Sequence, residues 1–262
     1  MKKFINTKYP IVLVHGMMIK NFSFYRAFRK ISDFLSEKGL KVYVLNHDAI
    51  GTICNNAIQM KKEIELILKK ENAEKVNIIA HSKGGLDSRY MISKLNMGDK
   101  VASLTTLSTP HHGSKMCRKL LKLPYFIQKI ISGVLNIFYK IFGDSNPDFL
   151  TLAYQLTDTY MVDFNKKVIN ANNVFYQSFS SNIKSKKMFL MFIPHKFSVY
   201  CEKDDTDGIV SLTSSKWGEY RGNMVGEFNH SEMIALYGSR SRIRRVSEFY
   251  FDITRELSDL GF

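Results

Sequence analysis

The chain contains 262 residues, of which 45% are hydrophobic and 24% are charged. This length is enough to bury a hydrophobic core and suits one large α/β domain or two small domains. The aromatic content of 13% excludes a chain that is disordered throughout. The three cysteines, Cys54, Cys117 and Cys201, are odd in number and widely separated, so neither a disulfide scaffold nor a zinc–thiolate site is expected.

The sequence carries 38 Lys and Arg against 24 Asp and Glu, which gives a formal net charge of +14. A positive field of this size attracts nucleic acid, anionic lipid headgroups or acidic substrates, and it also keeps a protein soluble. The basic residues are spread along the chain, and no nucleic-acid-binding motif accompanies them. We therefore expect no nucleic-acid partner.

The first residues, Met1-Lys2-Lys3, resemble the start of a signal peptide, but no apolar segment with a small-residue cleavage site follows them. The chain instead passes into the apolar run at 11–14. The sequence thus leaves three expectations for location: the cytoplasm, secretion by a route that needs no signal peptide, or a signal removed ahead of this sequence.

In chain order, short apolar runs predict strands at 11–14, 42–45, 76–80 and 101–107. Apolar residues at helical spacing predict helices over 24–38, 55–71 and 84–95. Apolar strands that alternate with amphipathic helices are typical of a mostly parallel sheet with helices on both faces. The predicted fold class is therefore α/β, and functional residues are expected at the carboxyl ends of the strands.

Residues 113–165 depart from this alternation. The apolar stretch at 123–142 is almost long enough to span a membrane, but Pro124, Lys129, Gly133, Asn136 and Lys140 interrupt it. Three interpretations are open at this point: a membrane helix, a buried core helix, and a mobile amphipathic cover over a site.

The third predicted strand ends in Ala80-His81-Ser82-Lys83-Gly84, directly before a predicted helix. A nucleophilic serine on a tight strand-to-helix turn needs small residues two positions before and two positions after it, because larger ones would collide with neighbouring elements. Ala80 and Gly84 meet this requirement. The pattern predicts Ser82 as the nucleophile, against the alternative of an ordinary helix N-cap.

An acyl-transfer enzyme also needs two backbone N–H groups directed at the developing oxyanion. Lys83, the residue after the predicted nucleophile, supplies one of them. His15-Gly16 follows the first strand, and Gly16 permits a close approach of the backbone, which leaves the N–H of Met17 as the second donor.

On this fold the acid and the base follow the serine, in that order. Of the seven histidines, His230 lies late in the chain and is the best general base. Residues 197–200 are predicted as a strand that leads into an acidic loop, where Asp207 precedes Gly208 and an apolar pair. We prefer Asp207 to Asp204 and Asp205 as the orienting acid.

These segments together resemble the bacterial triacylglycerol lipases of the Pseudomonas, Burkholderia and Proteus type, within the α/β-hydrolase superfamily. The resemblance rests on YPIVLVHGM at 9–17, KVNIIAHSKGGLDSRY at 75–90, LTTLSTPHHGS at 104–114, DGIVSLTSSKWG at 207–218 and FNHSEM at 228–233. It implies a single α/β-hydrolase domain over 1–262, with a helical cap or lid inserted at about 113–165.

Carried over by position, the resemblance implies Ser82 as nucleophile, Asp207 as acid and His230 as base, with Met17 and Lys83 as oxyanion donors. Ala80 stands where the family usually has Gly. The implied activity is hydrolysis of lipid carboxylic esters, foremost triacylglycerol, through an acyl-enzyme. Short-chain carboxylesterase, phospholipase and thioesterase activities are the alternatives, and an inactive basic module that binds lipid surfaces or nucleic acid is the alternative of another class.

This chemistry requires no cofactor, but the resemblance implies a structural calcium ion near the catalytic histidine. Glu232 stands at the position of one acidic ligand. Leu236 stands where the family has a Gln and cannot coordinate, and no counterpart of the acid from before the Asp207 strand is evident. Thr213 replaces the cysteine of a disulfide found in some relatives.

The resemblance further implies that the cap helix acts as a lid, which covers the site in water and opens where a lipid surface accepts its apolar face. Lys115, Arg118, Lys119 and Lys122 flank this helix and suit anionic headgroups. The expected partner is therefore a lipid ester at a lipid–water interface, with peripheral contact to an anionic lipid surface.

Overall fold

The computed structural model describes residues 6–17, 27–183 and 199–262. Its sheet has the strand order β2-β1-β3-β4-β5-β6, and every neighbouring pair runs parallel. The strands are β1 (Ile11–Val14), β2 (Val42–Val44), β3 (Val76–His81), β4 (Val101–Leu107), β5 (Phe175–Ser180) and β6 (Glu219–Asn223). The predicted fold class, a mostly parallel sheet within an α/β architecture, is confirmed.

Helices cover both faces of this sheet. They are α1 (Arg29–Glu37), α2 (Ile53–Glu71), α3 (Lys83–Lys94), α4 (Lys115–Leu120), α5 (Tyr125–Ile141), α6 (Phe149–Gln155), α7 (Asp158–Lys167) and α8 (Arg240–Asp259). Helices α1 and α8 pack on one face, and α2 and α3 pack on the other. The predicted arrangement of helices on both faces is thereby confirmed.

The apolar strands form because successive side chains point to opposite faces, and here both faces are buried. In β1, Ile11 and Leu13 join the cluster under α1 and α8, whereas Val12 and Val14 join the cluster under α2. Each such side chain, once fully buried, contributes about 1.5–3 kcal/mol relative to an exposed one. The two cores hold the carboxyl ends of β1, β3 and β4 at one edge of the sheet.

Apart from shifts of one or two residues at element ends, the sequence-predicted elements differ from the structure at three places. Helix α1 begins at Arg29, because Phe28 has a left-handed backbone with φ of 64°; residues 24–26 of the predicted helix lie outside the described residues. The predicted strand at 197–200 is wrong at its described end, since residues 199–202 are helical, and its first two residues lie outside the described ones. Strands β5 and β6 were not predicted.

The insertion at 113–165 contains α4, α5, α6 and most of α7. These helices close over a third apolar cluster, which joins Leu152, Leu156 and Met161 to Ile53 of α2 and Leu86 of α3. None of the helices that the structure describes is long and apolar enough to cross a membrane. The stretch at 123–142 instead becomes the 17-residue helix α5, which begins directly after Pro124.

Reciprocal hydrogen bonds fasten the insertion to the loop after β2. The Asp144 carboxylate accepts the backbone N–H groups of residues 49–50, both at 2.9 Å. The Asp48 carboxylate accepts those of residues 145–146, at 2.8 and 2.9 Å. Because both carboxylates are buried, these bonds fix the carboxyl end of α5 relative to the sheet.

Candidate active site

Ser82 occupies the turn between β3 and α3, with φ of 57° and ψ of −136°. A non-glycine residue in this region costs on the order of 1–3 kcal/mol, so neighbouring contacts must maintain it. The Ser82 N–H donates to the Leu107 carbonyl at 2.9 Å, and the Thr109 hydroxyl donates to the Ser82 carbonyl at 2.7 Å. The end of β4 thus holds the strained turn on both sides of the serine.

Close approach of the backbone explains the small residues that the sequence pattern requires. A Cβ atom at Gly84 would lie 2.4 Å from the His15 carbonyl oxygen. One at Gly16 would lie 2.7 Å from Cβ of Ser82. The loop after β1 and the first turn of α3 therefore meet directly at the serine, and a side chain at either glycine would separate them.

The structure brings together the three side chains of the predicted triad. Nε2 of His230 lies 2.9 Å from Oγ of Ser82, and Nδ1 of His230 lies 2.7 Å from Oδ2 of Asp207. The His230 N–H also donates to the Asp207 carbonyl at 3.0 Å, so the two loops are joined by backbone as well as by side chains. This is the geometry in which a histidine can take a proton from a serine.

Asp207 is completely buried, and its second carboxylate oxygen accepts the N–H groups of Ile209 and Val210. Burial alone would raise the pKa of this carboxyl. The charge of a protonated His230, together with the hydrogen bonds from His230 and Val210, holds the pKa of Asp207 below its usual value. Asp207 therefore remains an anion that can stabilise a histidinium.

The other two candidate acids are elsewhere. The Asp204 carboxylate accepts the backbone N–H groups of Asp205 and Thr213, and Asp205 contacts the Asn182 side chain. Both belong to the loop that shapes the Asp207 turn, and no hydrogen bond joins either to His230.

His81 is a residue of the site that the sequence analysis did not assign. Its ring centroid lies 4.4 Å from that of His230, and it lines the same cavity. Burial, and then the nearby charge of a protonated His230, hold the pKa of His81 well below its usual value. A neutral His81 does not repel a histidinium at His230. Its place next to Ser82 in the turn was the signal available in the sequence.

A cavity of about 440 Å³ opens over Ser82 and His230. The insertion supplies much of its apolar wall, including Leu120 of α4, Tyr139 of α5 and Leu152 of α6. This volume lies in the range of small-molecule sites, and the apolar wall suits a hydrocarbon chain.

The predicted oxyanion donors lie at the same place. Met17 lines the cavity beside Ser82. Lys83 is the first residue of α3, where backbone N–H groups have no partner within the helix. The ring of His15 stacks on that of His47 at 4.1 Å, which supports the loop that carries Gly16 and Met17.

The side chain of Lys83 has a second set of contacts that the sequence analysis did not foresee. Its Nζ lies 2.8 and 2.7 Å from the two carboxylate oxygens of Asp87, and both side chains are buried. Asn56 of α2 donates to the same carboxylate at 3.1 Å. Burial lowers the pKa of Lys83 and raises that of Asp87 to about 6, while attraction within the pair opposes both shifts.

Glu232, the predicted calcium ligand, is buried beside His230 and has other partners. Arg242 donates to its two oxygens at 2.7 and 2.8 Å. Asn229 donates to it from both its side-chain amide and its backbone N–H, at 2.7 and 3.1 Å. A carboxylate that faces a guanidinium and two amide N–H groups does not fit a calcium ion, which requires oxygen ligands around it.

The fold and the site geometry are those of an α/β-hydrolase. A family model described as palmitoyl protein thioesterase matches residues 10–237. Triacylglycerol lipase 2 of Saccharomyces cerevisiae is 32% identical to this chain, and the alignment covers 88% of this chain and 73% of the yeast protein. The triacylglycerol lipase of Pseudomonas fragi is 26% identical over 98% of both chains.

The solved structure of Staphylococcus hyicus lipase matches with a TM-score of 0.71 at 16% identity, covering 98% of this chain and 97% of that one. The chain belongs to the palmitoyl protein thioesterase family. The resemblance to bacterial lipases of the α/β-hydrolase superfamily is confirmed by the relatives named triacylglycerol lipase.

The buried pair under the nucleophile turn gives the first test. Replacing Lys83 by Met leaves the Asp87 carboxylate buried without its cation, which should lower the free energy of unfolding by about 3–5 kcal/mol. The double variant Lys83→Met, Asp87→Leu should recover most of that loss, because no charge is left unpaired. Urea unfolding of the three proteins measures the difference.

The matched control is Lys166→Met, which breaks an exposed pair with Asp163 and should change stability by less than about 1 kcal/mol. If Lys83→Met and the double variant lose the same stability, the pair does not act as described.

Proposed function

We propose that this protein is a serine lipase, which hydrolyses carboxylic esters of long-chain fatty acids. The observation that carries the proposal is the Ser82–His230–Asp207 arrangement, with 2.9 and 2.7 Å between the interacting atoms, at the floor of an apolar cavity. The names of the relatives, triacylglycerol lipases in yeast and Pseudomonas fragi, support the lipid substrate.

The proposed reaction has two halves. Oγ of Ser82 attacks the ester carbonyl carbon while Nε2 of His230 takes the hydroxyl proton, and the Met17 and Lys83 N–H groups stabilise the oxyanion. His230 then protonates the departing alcohol, and an acyl group remains on Ser82. In the second half, a water molecule gives a proton to Nε2 of His230 and attacks the acyl carbonyl carbon. The bond between that carbon and Oγ of Ser82 then breaks, His230 returns its proton to Oγ, and the fatty acid is released.

Asp207 acts through His230. Its carboxylate holds Nδ1–H of His230, so that Nε2 faces Ser82 with its lone pair. The anion also stabilises the histidinium that forms in both halves of the reaction. Side chains, backbone N–H groups and one water molecule account for every proton in this scheme.

We further infer that helix α5 is the surface that meets the lipid. Five apolar side chains lie at three- and four-residue intervals on one face of this helix and are 62–73% exposed: Phe126, Ile130, Val134, Ile137 and Ile141. The opposite face, which includes the buried Ser132, rests on the rest of the insertion. This apolar face points toward solvent, where it can enter a lipid surface.

The charge of the sequence segment that contains α5 supports an anionic lipid surface. Residues 114–143 contain six basic residues and no acidic one. Each Lys or Arg close to an anionic membrane surface contributes about 1 kcal/mol to binding. The apolar face of α5 and the net positive charge of its sequence segment therefore favour the same partner.

The chemistry of Ser82 is tested with two substrates. Ser82→Ala should lower the hydrolysis of emulsified trioleoylglycerol and of a soluble short-chain ester by at least about three orders of magnitude, because no nucleophile is left. Ser93→Ala, which changes a serine of the same helix outside the cavity, is the control and should keep full activity. Near-normal rates in Ser82→Ala would overturn the assignment.

A thioester substrate belongs in the same experiment, because the matching family model is named for palmitoyl protein thioesterase. Faster turnover of palmitoyl thioesters than of trioleoylglycerol would assign the protein to thioester hydrolysis through the same triad.

The lipid-contact face is tested by the double variant Ile130→Glu, Ile137→Glu. Each substitution removes about 1.5–3 kcal/mol of the binding free energy that comes from burying an isoleucine side chain in the lipid. The rate on emulsified substrate should therefore fall by roughly tenfold or more. The rate on a soluble ester should stay unchanged. Leu66→Glu, on the exposed side of α2, is the control. An equal effect of both variants on the emulsion would contradict the role of α5.

A further inference from the structure

The loop that carries His230 is held from one side by a single arginine. Both Nε and a terminal nitrogen of Arg242 donate to the Glu232 carboxylate, at 2.7 and 2.8 Å. The same terminal nitrogen donates to the Glu227 carbonyl at 2.9 Å, and the guanidinium lies 4.6 Å from the ring centroid of Phe228. One side chain of α8 therefore contacts the loop both before and after His230.

Glu232 passes this constraint to the residues next to the histidine. Its carboxylate holds the side chain and the N–H of Asn229. The side-chain oxygen of Asn229 in turn accepts the N–H groups of Ser231 and Glu232, at 3.0 Å each, and the Tyr237 hydroxyl. Both neighbours of His230 in the chain are thus fixed by hydrogen bonds that begin at the Arg242–Glu232 pair.

Arg242 stands at a position that local helix energetics disfavour. It lies in the first turn of α8, where the Ser239 side chain caps its N–H and where the helix dipole favours acidic residues. No acidic residue is present in that turn. The ion pair with the buried Glu232 carboxylate compensates for the unfavourable interaction of Arg242 with the helix dipole. A residue that departs from a local preference in this way is expected to serve a particular contact.

Resting on the function proposed above, we propose that Arg242 is a positioning residue for the hydrolysis and provides the cation that the resemblance to bacterial lipases assigns to calcium. The guanidinium neutralises Glu232 and orders the His230 loop without a metal ion. Because its planar fork makes two parallel bonds, it fixes the direction of the carboxylate as well as its charge.

The experiment uses the whole protein and compares Arg242→Met, Arg242→Lys and the control Arg245→Met, which changes an exposed arginine of the same helix. For each protein, kcat and KM on a soluble short-chain ester, the melting temperature, and the heat of CaCl2 binding are measured. The first three quantities are recorded with excess EDTA and with excess CaCl2.

In the wild type, neither EDTA nor CaCl2 should change kcat or the melting temperature, and calorimetry should detect no calcium binding. Arg242→Met should lower kcat by about 10- to 100-fold, because a misplaced His230 costs catalysis, and it should leave KM within about twofold. Arg242→Lys keeps the positive charge and loses the two parallel hydrogen bonds of the guanidinium. Its kcat should therefore lie between those of the wild type and Arg242→Met. Arg245→Met should match the wild type.

A chelator that lowers the melting temperature and kcat of the wild type, with recovery in CaCl2, would overturn the proposal, as would an unchanged kcat in Arg242→Met. If Arg242→Met does not fold, a fully wild-type kcat in Arg242→Lys overturns it instead. An inactive wild type that is insensitive to EDTA would count against the proposed hydrolysis, whereas the calcium titration and melting temperatures would still test the cation role of Arg242.

Discussion

The strained backbone of Ser82 is the constraint on which the rest of the site depends. Its positive φ raises the hydroxyl above the end of the sheet, and that conformation is held on both sides by Leu107 at the end of β4 and Thr109 in the loop after it. The same geometry leaves no space for side chains at Gly16 and Gly84. The loop after β1, the end of β3 and the start of α3 must therefore meet at one point, where the oxyanion donors are expected.

Two of the buried carboxylates around this turn are paired with a basic side chain. Asp87 faces Lys83 below the nucleophile, and Glu232 faces Arg242 behind the histidine. The Asp207 carboxylate faces Nδ1 of His230 at 2.7 Å. Burial keeps the neighbouring His81 neutral by lowering its pKa. The Asp207 anion and the neutral His81 are therefore both compatible with a positive charge on His230, which the proposed general-base role requires.

Local patterns were sufficient to predict the parallel sheet, because β1 is fully apolar, β4 is fully buried, and both have the bounds that the sequence indicated. The nucleophile turn was predictable for the same reason, since its small residues lie within five positions. The contacts of Lys83 with Asp87 and of Arg242 with Glu232 were not predicted. The spacing of Lys83 and Asp87, four residues apart at the start of α3, was a signal available in the sequence. The Arg242–Glu232 contact depends on the approach of α8 to the His230 loop, which periodicity does not report. Strand β6, Glu219–Asn223, was missed because its polar edge sequence lacks an apolar run.

Covalent labelling shows directly whether Ser82 is the activated nucleophile. The protein is treated with a fluorophosphonate, digested, and analysed by mass spectrometry to locate the adduct. We expect one phosphonyl group per chain, attached to Ser82, because its hydroxyl lies 2.9 Å from Nε2 of His230, whose Nδ1 is held by Asp207. An adduct on another serine, or an unlabelled chain that is folded, would contradict it.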